Sequence, residues 1–118
     1  MVKVMMINKW EIKYYNSKPK FSPIYDFIKG LDKNTKGRIL RVLDMLEDFG
    51  LNLGGKFVKK IKGTNLWELR IFGEKSVRII YIAQQYHTFL LLHGFIKKTQ
   101  KTPDKELKIA LQRSKEYQ

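Results

Sequence analysis

Cysteine is absent from the 118 residues. No disulfide framework can staple the chain, and two isolated histidines without a thiol make no convincing metal site. No metal and no other cofactor is therefore expected. A cysteine-free chain also suits a reducing compartment. Long hydrophobic runs are missing too. The longest, around "FLLL" (89–92), falls far short of the roughly 20 apolar residues that a membrane helix needs. The opening "MVKVMMINKW" lacks the extended apolar core and small-residue cleavage site of a secretory leader. Repeats, low-complexity tracts and linkers long enough to divide domains are absent as well. These absences predict one cytoplasmic domain over residues 1–118, with no membrane partner. With 43% hydrophobic residues it can build its own core.

Acidic residues are also scarce. Eleven Asp and Glu face 24 Lys and Arg, a formal net charge of +13. A single small domain with this excess suits a polyanionic partner, most often nucleic acid. Two other uses of the charge are an acidic protein partner and plain lysine solvation, since all but five of the 24 cations are lysine.

What is present divides into short elements. "WEIKYY" (10–15) alternates as a first strand, with Trp10, Ile12 and Tyr14 on one face. Ser22 and Pro23 open a helix whose apolar face is Ile24, Phe27, Ile28 and Leu31, and Gly30 limits its length. A second helix is predicted from Asn34 to Phe49, burying Ile39, Val42, Leu43, Leu46 and Phe49, with Gly50 as its stop. "FVKKIK" (57–62) fits a short strand. The Gly54-Gly55 pair before it lacks the spacing of a nucleotide-binding P-loop.

Three strands follow: "LWELRIF" (66–72), "VRIIYIA" (77–83) and "TFLLLHGFI" (88–96), joined by the turns "GEKS" and "QQYH". The last is apolar on both faces, as a central strand should be. A final helix begins near Thr102, read as its cap, and Pro103. Its contact face of Leu107, Ala110, Leu111 and Ser114 is thin, so loose docking is expected. The predicted fold is α+β: a small antiparallel sheet with an N-terminal helical hairpin on one face and a C-terminal helix. The first strand belongs at the edge or beside the last strand.

Arg70 and Arg78 flank the "GEKS" turn inside otherwise apolar strands. On one solvated face they would repel each other, and a bound phosphate would turn that repulsion into a clamp. The competing arrangement is an ion pair of Glu68 with either arginine, which leaves Glu68 either structural or a proton acceptor. His93, between Leu92 and Gly94, is either an acid–base group or a hydrogen-bonded core residue. Tyr81 and Trp67 read as packing. After the last strand, "IKKTQKTP" carries Lys97, Lys98, Thr99, Gln100 and Lys101, residue types that contact phosphates and sugars. Lys59, Lys60 and Lys62 approach from the other side, together predicting a cationic groove for a nucleic-acid backbone.

The order "LWELR", "VRIIYI", "LLHGFIKKTQKTP" resembles the HigB-like, phage-derived branch of the RelE/ParE toxin superfamily. The resemblance covers most of the chain, although before about residue 56 only the element pattern matches. It implies the toxin of a type II toxin–antitoxin pair and a metal-independent endoribonuclease that cuts mRNA on the ribosome. Its implied partner is an antitoxin encoded next door, of helix-turn-helix type. Arg78 matches the superfamily's strand-three arginine and is the implied phosphate clamp. Arg70 matches the arginine closing strand two, and Lys97 and Lys98 match the basic residues after strand four. Glu68 occupies a strand-two position where some members carry a general base, and His93 lies near a polar catalytic position. The histidine-rich site of better-known HigB members is not evident. The superfamily's ParE branch, which inhibits gyrase without cutting RNA, supplies the alternative.

Overall fold

The computed structural model describes residues 9–117. The apolar opening of the sequence, apart from its last two residues, lies outside the described residues. Five strands form one sheet: β1 (Glu11–Tyr14), β2 (Val58–Lys60), β3 (Trp67–Ile71), β4 (Val77–Gln84) and β5 (Thr88–Ile96). Their spatial order is β1-β5-β4-β3-β2. Strands β2 to β5 run antiparallel as a meander, and β1 joins the edge of β5 in parallel. Three helices complete the fold: α1 (Pro23–Lys29), α2 (Lys33–Phe49) and α3 (Asp104–Lys115).

The helix boundaries follow local chemistry. The Ser22 hydroxyl accepts from the Tyr25 N–H at 3.2 Å, and Pro23 sits in the first turn. Asp32 caps α2 through the Thr35 N–H at 3.0 Å, so α2 starts one residue before the predicted Asn34. Gly50 ends it at φ 56° and ψ −130°, a conformation that side chains disfavour. The Trp10 indole fills the space beside it.

Ile24, Ile28, Ile39, Val42, Leu43 and Leu46 of the hairpin are buried with Leu69, Ile71, Val77, Ile79 and Tyr81 of the sheet. Tyr81, read as packing, is indeed core. Phe49 is not part of this stripe; it is 58% exposed, and the inward position one turn after Leu46 is taken by Gly50 against Trp10.

The second sheet face belongs to α3, and here two expectations are corrected. Thr102 does not cap the helix: Pro103 stands at the cap position without a side-chain bond, and the Thr102 hydroxyl is spent on Glu68. Nor does α3 lie loosely. Its apolar face is narrow, but Arg113 donates to the Leu92 carbonyl at 2.7 Å and lies over the Tyr15 ring, while Tyr15 donates to Glu116 at 2.9 Å. Leu92 is the extra residue of a bulge, where the register passes from Ile80↔His93 to Tyr81↔Leu91. The bulge leaves this peptide without a counterpart in β4, and Arg113 takes its carbonyl.

A methyl group at Gly50 would lie 2.2 to 2.9 Å from Trp10 atoms. Gly50→Ala is expected to destabilise the fold by about 3 kcal/mol through strain and collision together. Urea unfolding checks this, and a loss below about 1 kcal/mol would contradict the packing described.

Candidate functional site

Strand alternation and register decide which side chains meet. Arg70 and Arg78 are direct cross-strand partners, so they share a face, and that face is the α3 side. Glu68↔Ile80↔His93 forms the adjacent row, and Phe95 stands opposite Arg78. Lys59 pairs with Glu68 and joins the same side. The two arginines thus share a face, but it is not the solvated face that was expected: it is the side covered by α3, and Arg78, the implied phosphate clamp, is buried there.

Arg78 is buried, with 7% of its surface exposed. Its Nε lies 3.4 Å from Glu68 Oε1, its Nη1 donates to the Val77 carbonyl at 3.0 Å, and its guanidinium lies 5.3 Å from the Phe72 ring centre. Glu68 in turn accepts from the Thr102 hydroxyl at 2.5 Å. Burial lowers the Arg78 pKa; Glu68 opposes the shift and Arg70 adds to it. Arg70 is the more open of the two. Its Nη2 reaches the Gly55 carbonyl at 3.4 Å. The Nε atoms of both arginines are buried and have no hydrogen-bond partner among the described residues. Among the described residues the one buried carboxylate pairs with Arg78 and leaves Arg70 without an acidic partner, so the cluster keeps an excess of positive charge. An anion approaching Arg70 would meet that excess beside the half-exposed ring of Phe72.

The ion pair of Glu68 with Arg78 that the sequence left open is present, so Glu68 is engaged inside the protein. His93 is engaged as well. Its Nε2 lies 2.9 Å from Glu106 and its Nδ1 3.4 Å from Arg113 Nη1. The carboxylate favours the proton on Nε2, and Nδ1 then accepts from Arg113. Burial lowers the His93 pKa; Glu106 opposes this and Arg113 reinforces it. The core reading of His93 matches this geometry. Buried Ile80 stands between His93 and Glu68 in their row.

The lysines divide. Lys60 pairs with Trp67 on the opposite sheet face, lies over that ring at 5.4 Å, and donates to the Thr64 carbonyl. Strand alternation separates it from Lys59, so the single group of Lys59, Lys60 and Lys62 is not formed by β2. Lys62 lies in the turn after β2. The segment after β5 is held at both ends: the Lys97 N–H donates to the Ser76 carbonyl at 2.7 Å, and Thr102 is tied to Glu68. Between these anchors Lys98, Thr99, Gln100 and Lys101 are exposed, with the Thr99 hydroxyl turned to the Lys101 carbonyl at 2.7 Å. Among the described residues no group of three or more His, Cys, Asp or Glu is placed to hold a metal, and no helix is long and apolar enough to cross a membrane.

Residues 26–115 match the family described as Phage derived protein Gp49-like (DUF891). The chain belongs to this family. The Gp49-like family is one of RelE/HigB toxin type. No curated protein matches the chain.

In this Gp49-like domain, sequence reading missed four contributors to the site. Phe72 shares the alternation of Arg70, which was a visible signal. Thr102 was read as a helix cap, because its place before Pro103 suits that role equally well. Arg113 and Glu106 sit on α3 at positions where nothing local distinguishes them from solvated charges.

His93 gives a pH test. A folded pKa below the ordinary value near 6.5 means that the unfolded chain binds the proton more readily. The stability from keeping His93 neutral is complete above that value and is lost as pH falls toward the folded pKa. Relative to His93→Gln, the native protein should lose up to about 1.4 kcal/mol per pH unit in that window. Urea unfolding from pH 7.5 to 5 checks this; parallel profiles would contradict it.

Proposed function

We propose that this chain is the toxin of a type II toxin–antitoxin pair and acts as an endoribonuclease on mRNA at the ribosome. The observation that carries the reading is the pairing of Arg70 with Arg78 on one sheet face, with only Glu68 to balance them. RNA supplies the missing anion. In metal-independent cleavage the ribose 2′-OH attacks the adjacent phosphorus, the bond to the 5′ oxygen breaks, and a 2′,3′-cyclic phosphate and a 5′-OH result. Negative charge grows on the non-bridging oxygens, and a preorganised guanidinium is worth most there. Arg70 is the group that touches them. Arg78, behind it, raises the local potential and is fixed by Glu68. Lys98, Gln100 and Lys101, with Lys97 and Thr99, guide the flanking backbone, and Lys59 borders the same face.

A second reading is a toxin that binds without cutting, as ParE-type gyrase inhibitors do. One observation favours it: both candidate proton-transfer groups are occupied, Glu68 by Thr102 and Arg78, and His93 by Glu106 and Arg113. Cleavage would need substrate to displace Thr102 from Glu68, or a base supplied from outside the chain. In either reading the partner that restrains the toxin is an antitoxin, of helix-turn-helix type and encoded next to it, and the site of action is the cytoplasm.

Induced expression with mapping of mRNA 5′ ends separates the two. The nuclease reading expects new 5′-OH ends inside coding regions, reduced about 100-fold or more by Arg70→Ala. Growth arrest with intact messages and a DNA-damage response would overturn it in favour of the binder.

A further inference from the structure

Strand β1 covers only half of β5. Its partners run from Thr88 to Leu91, and the Tyr15 N–H closes the ladder on the Leu91 carbonyl at 2.8 Å. The chain then turns away through Asn16 toward α1. Residues 92–96 of β5, roughly 15 Å of strand, remain paired with β4 on one side only. Beyond the bulge, Arg78↔Phe95 faces β4, and alternation turns the peptide groups of Gly94 and Ile96 outward. Among the described residues, no hydrogen bond from another element reaches these outward groups.

This open edge is the floor of a groove. Phe27 of α1 forms one wall, and Pro103, Lys105 and Glu106 at the start of α3 form the other. Lys98 and Thr99 close the end. Gly94 lets α1 approach: a Cβ there would come within 2.6 Å of Ile24 and 2.8 Å of Phe27. The lining is apolar at the floor and cationic at the rim. Its one carboxylate, Glu106, is already bonded to His93 at 2.9 Å.

Exposed strand edges invite pairing, and a short one shielded between two helices accepts only a slim extended segment. We infer that the Gly94–Ile96 edge receives an extended acidic peptide of a partner protein, added as a sixth strand in line with β1. The backbone groups of Gly94 and Ile96 hold its main chain. Lys98 and Lys105 select carboxylates on alternate residues, and Phe27 and Pro103 contact the small apolar residues between them. The inference does not rest on nuclease activity. An edge strand placed there would lie beside Lys98 and Thr99, so it would also block the cationic segment.

The test uses the full chain and a capped six-residue peptide alternating Glu and Val. Amide hydrogen exchange followed by NMR is the readout. The peptide should slow exchange at Gly94 and Ile96 at least 10-fold while leaving the paired amide of Phe95 unchanged. The same peptide N-methylated on the edge-facing amides should fail, and Lys98→Glu with Lys105→Glu should weaken binding at least 10-fold. Both lysines are on the surface, so this variant keeps the fold, which its unperturbed NMR spectrum verifies. The inference is overturned by absence of protection, or by equal binding of the N-methylated peptide. It is equally overturned if an oligonucleotide alone protects these amides, or if they are protected without peptide in a concentration-dependent dimer.

Discussion

On the α3 side of strands β2 to β4, among the described residues, Glu68 is the one carboxylate facing Arg70, Arg78 and Lys59. It lies 3.4 Å from one guanidinium, accepts the Thr102 hydroxyl, and is almost wholly buried. Removing such a partner strands a buried cation, at a cost of about 3 to 5 kcal/mol. Glu68 thereby fixes Arg78 in the sheet, ties the segment after β5 across the sheet to β3, and leaves Arg70 underbalanced. The charge excess needed to attract an anion is thus a consequence of one acid standing beside two bases and pairing with only one of them.

The same face has a second polar assembly with a different purpose. His93, Glu106, Arg113, Tyr15 and Glu116 form a chain of contacts that seats α3 where its apolar stripe is narrow. Each group in it is satisfied by another. This contrasts with the two guanidinium Nε atoms of Arg70 and Arg78, which are buried and unbonded. Saturated polar groups serve the fold, and unsaturated ones are where a ligand gains most.

Much of the architecture was legible in the residues. Ser22-Pro23 and the 3.6-residue spacing of Ile39, Val42, Leu43 and Leu46 mark the hairpin, and the alternation through Glu68, Arg70 and Phe72 marks the face of β3. The "GEKS" turn placed Arg70 and Arg78 on neighbouring antiparallel strands, while their direct pairing is a matter of register that only the structure shows. Other features depend on long-range geometry and leave no local trace. The bulge at Leu92 changes which β5 side chains share a side. Lys59 and Lys60 are adjacent in sequence but alternate across the sheet. Thr102 looks like a cap until Glu68 lies beneath it. Phe49 fits the helix period yet is exposed, because Gly50 against Trp10 takes the inward place at the helix end. In the site, residue types were readable, but which of them were already spent on each other was not.

The most direct test of this arrangement, with Arg70 at the anion and the charge of Arg78 behind it, is a double-mutant cycle on RNA affinity, using Arg70→Ala and Arg78→Gln separately and together at fixed ionic strength. Two guanidiniums acting on one phosphate should show a coupling of about 1 kcal/mol or more. Effects that add within about 0.3 kcal/mol, each no larger than that of Lys108→Ala on the outer face of α3, would contradict it.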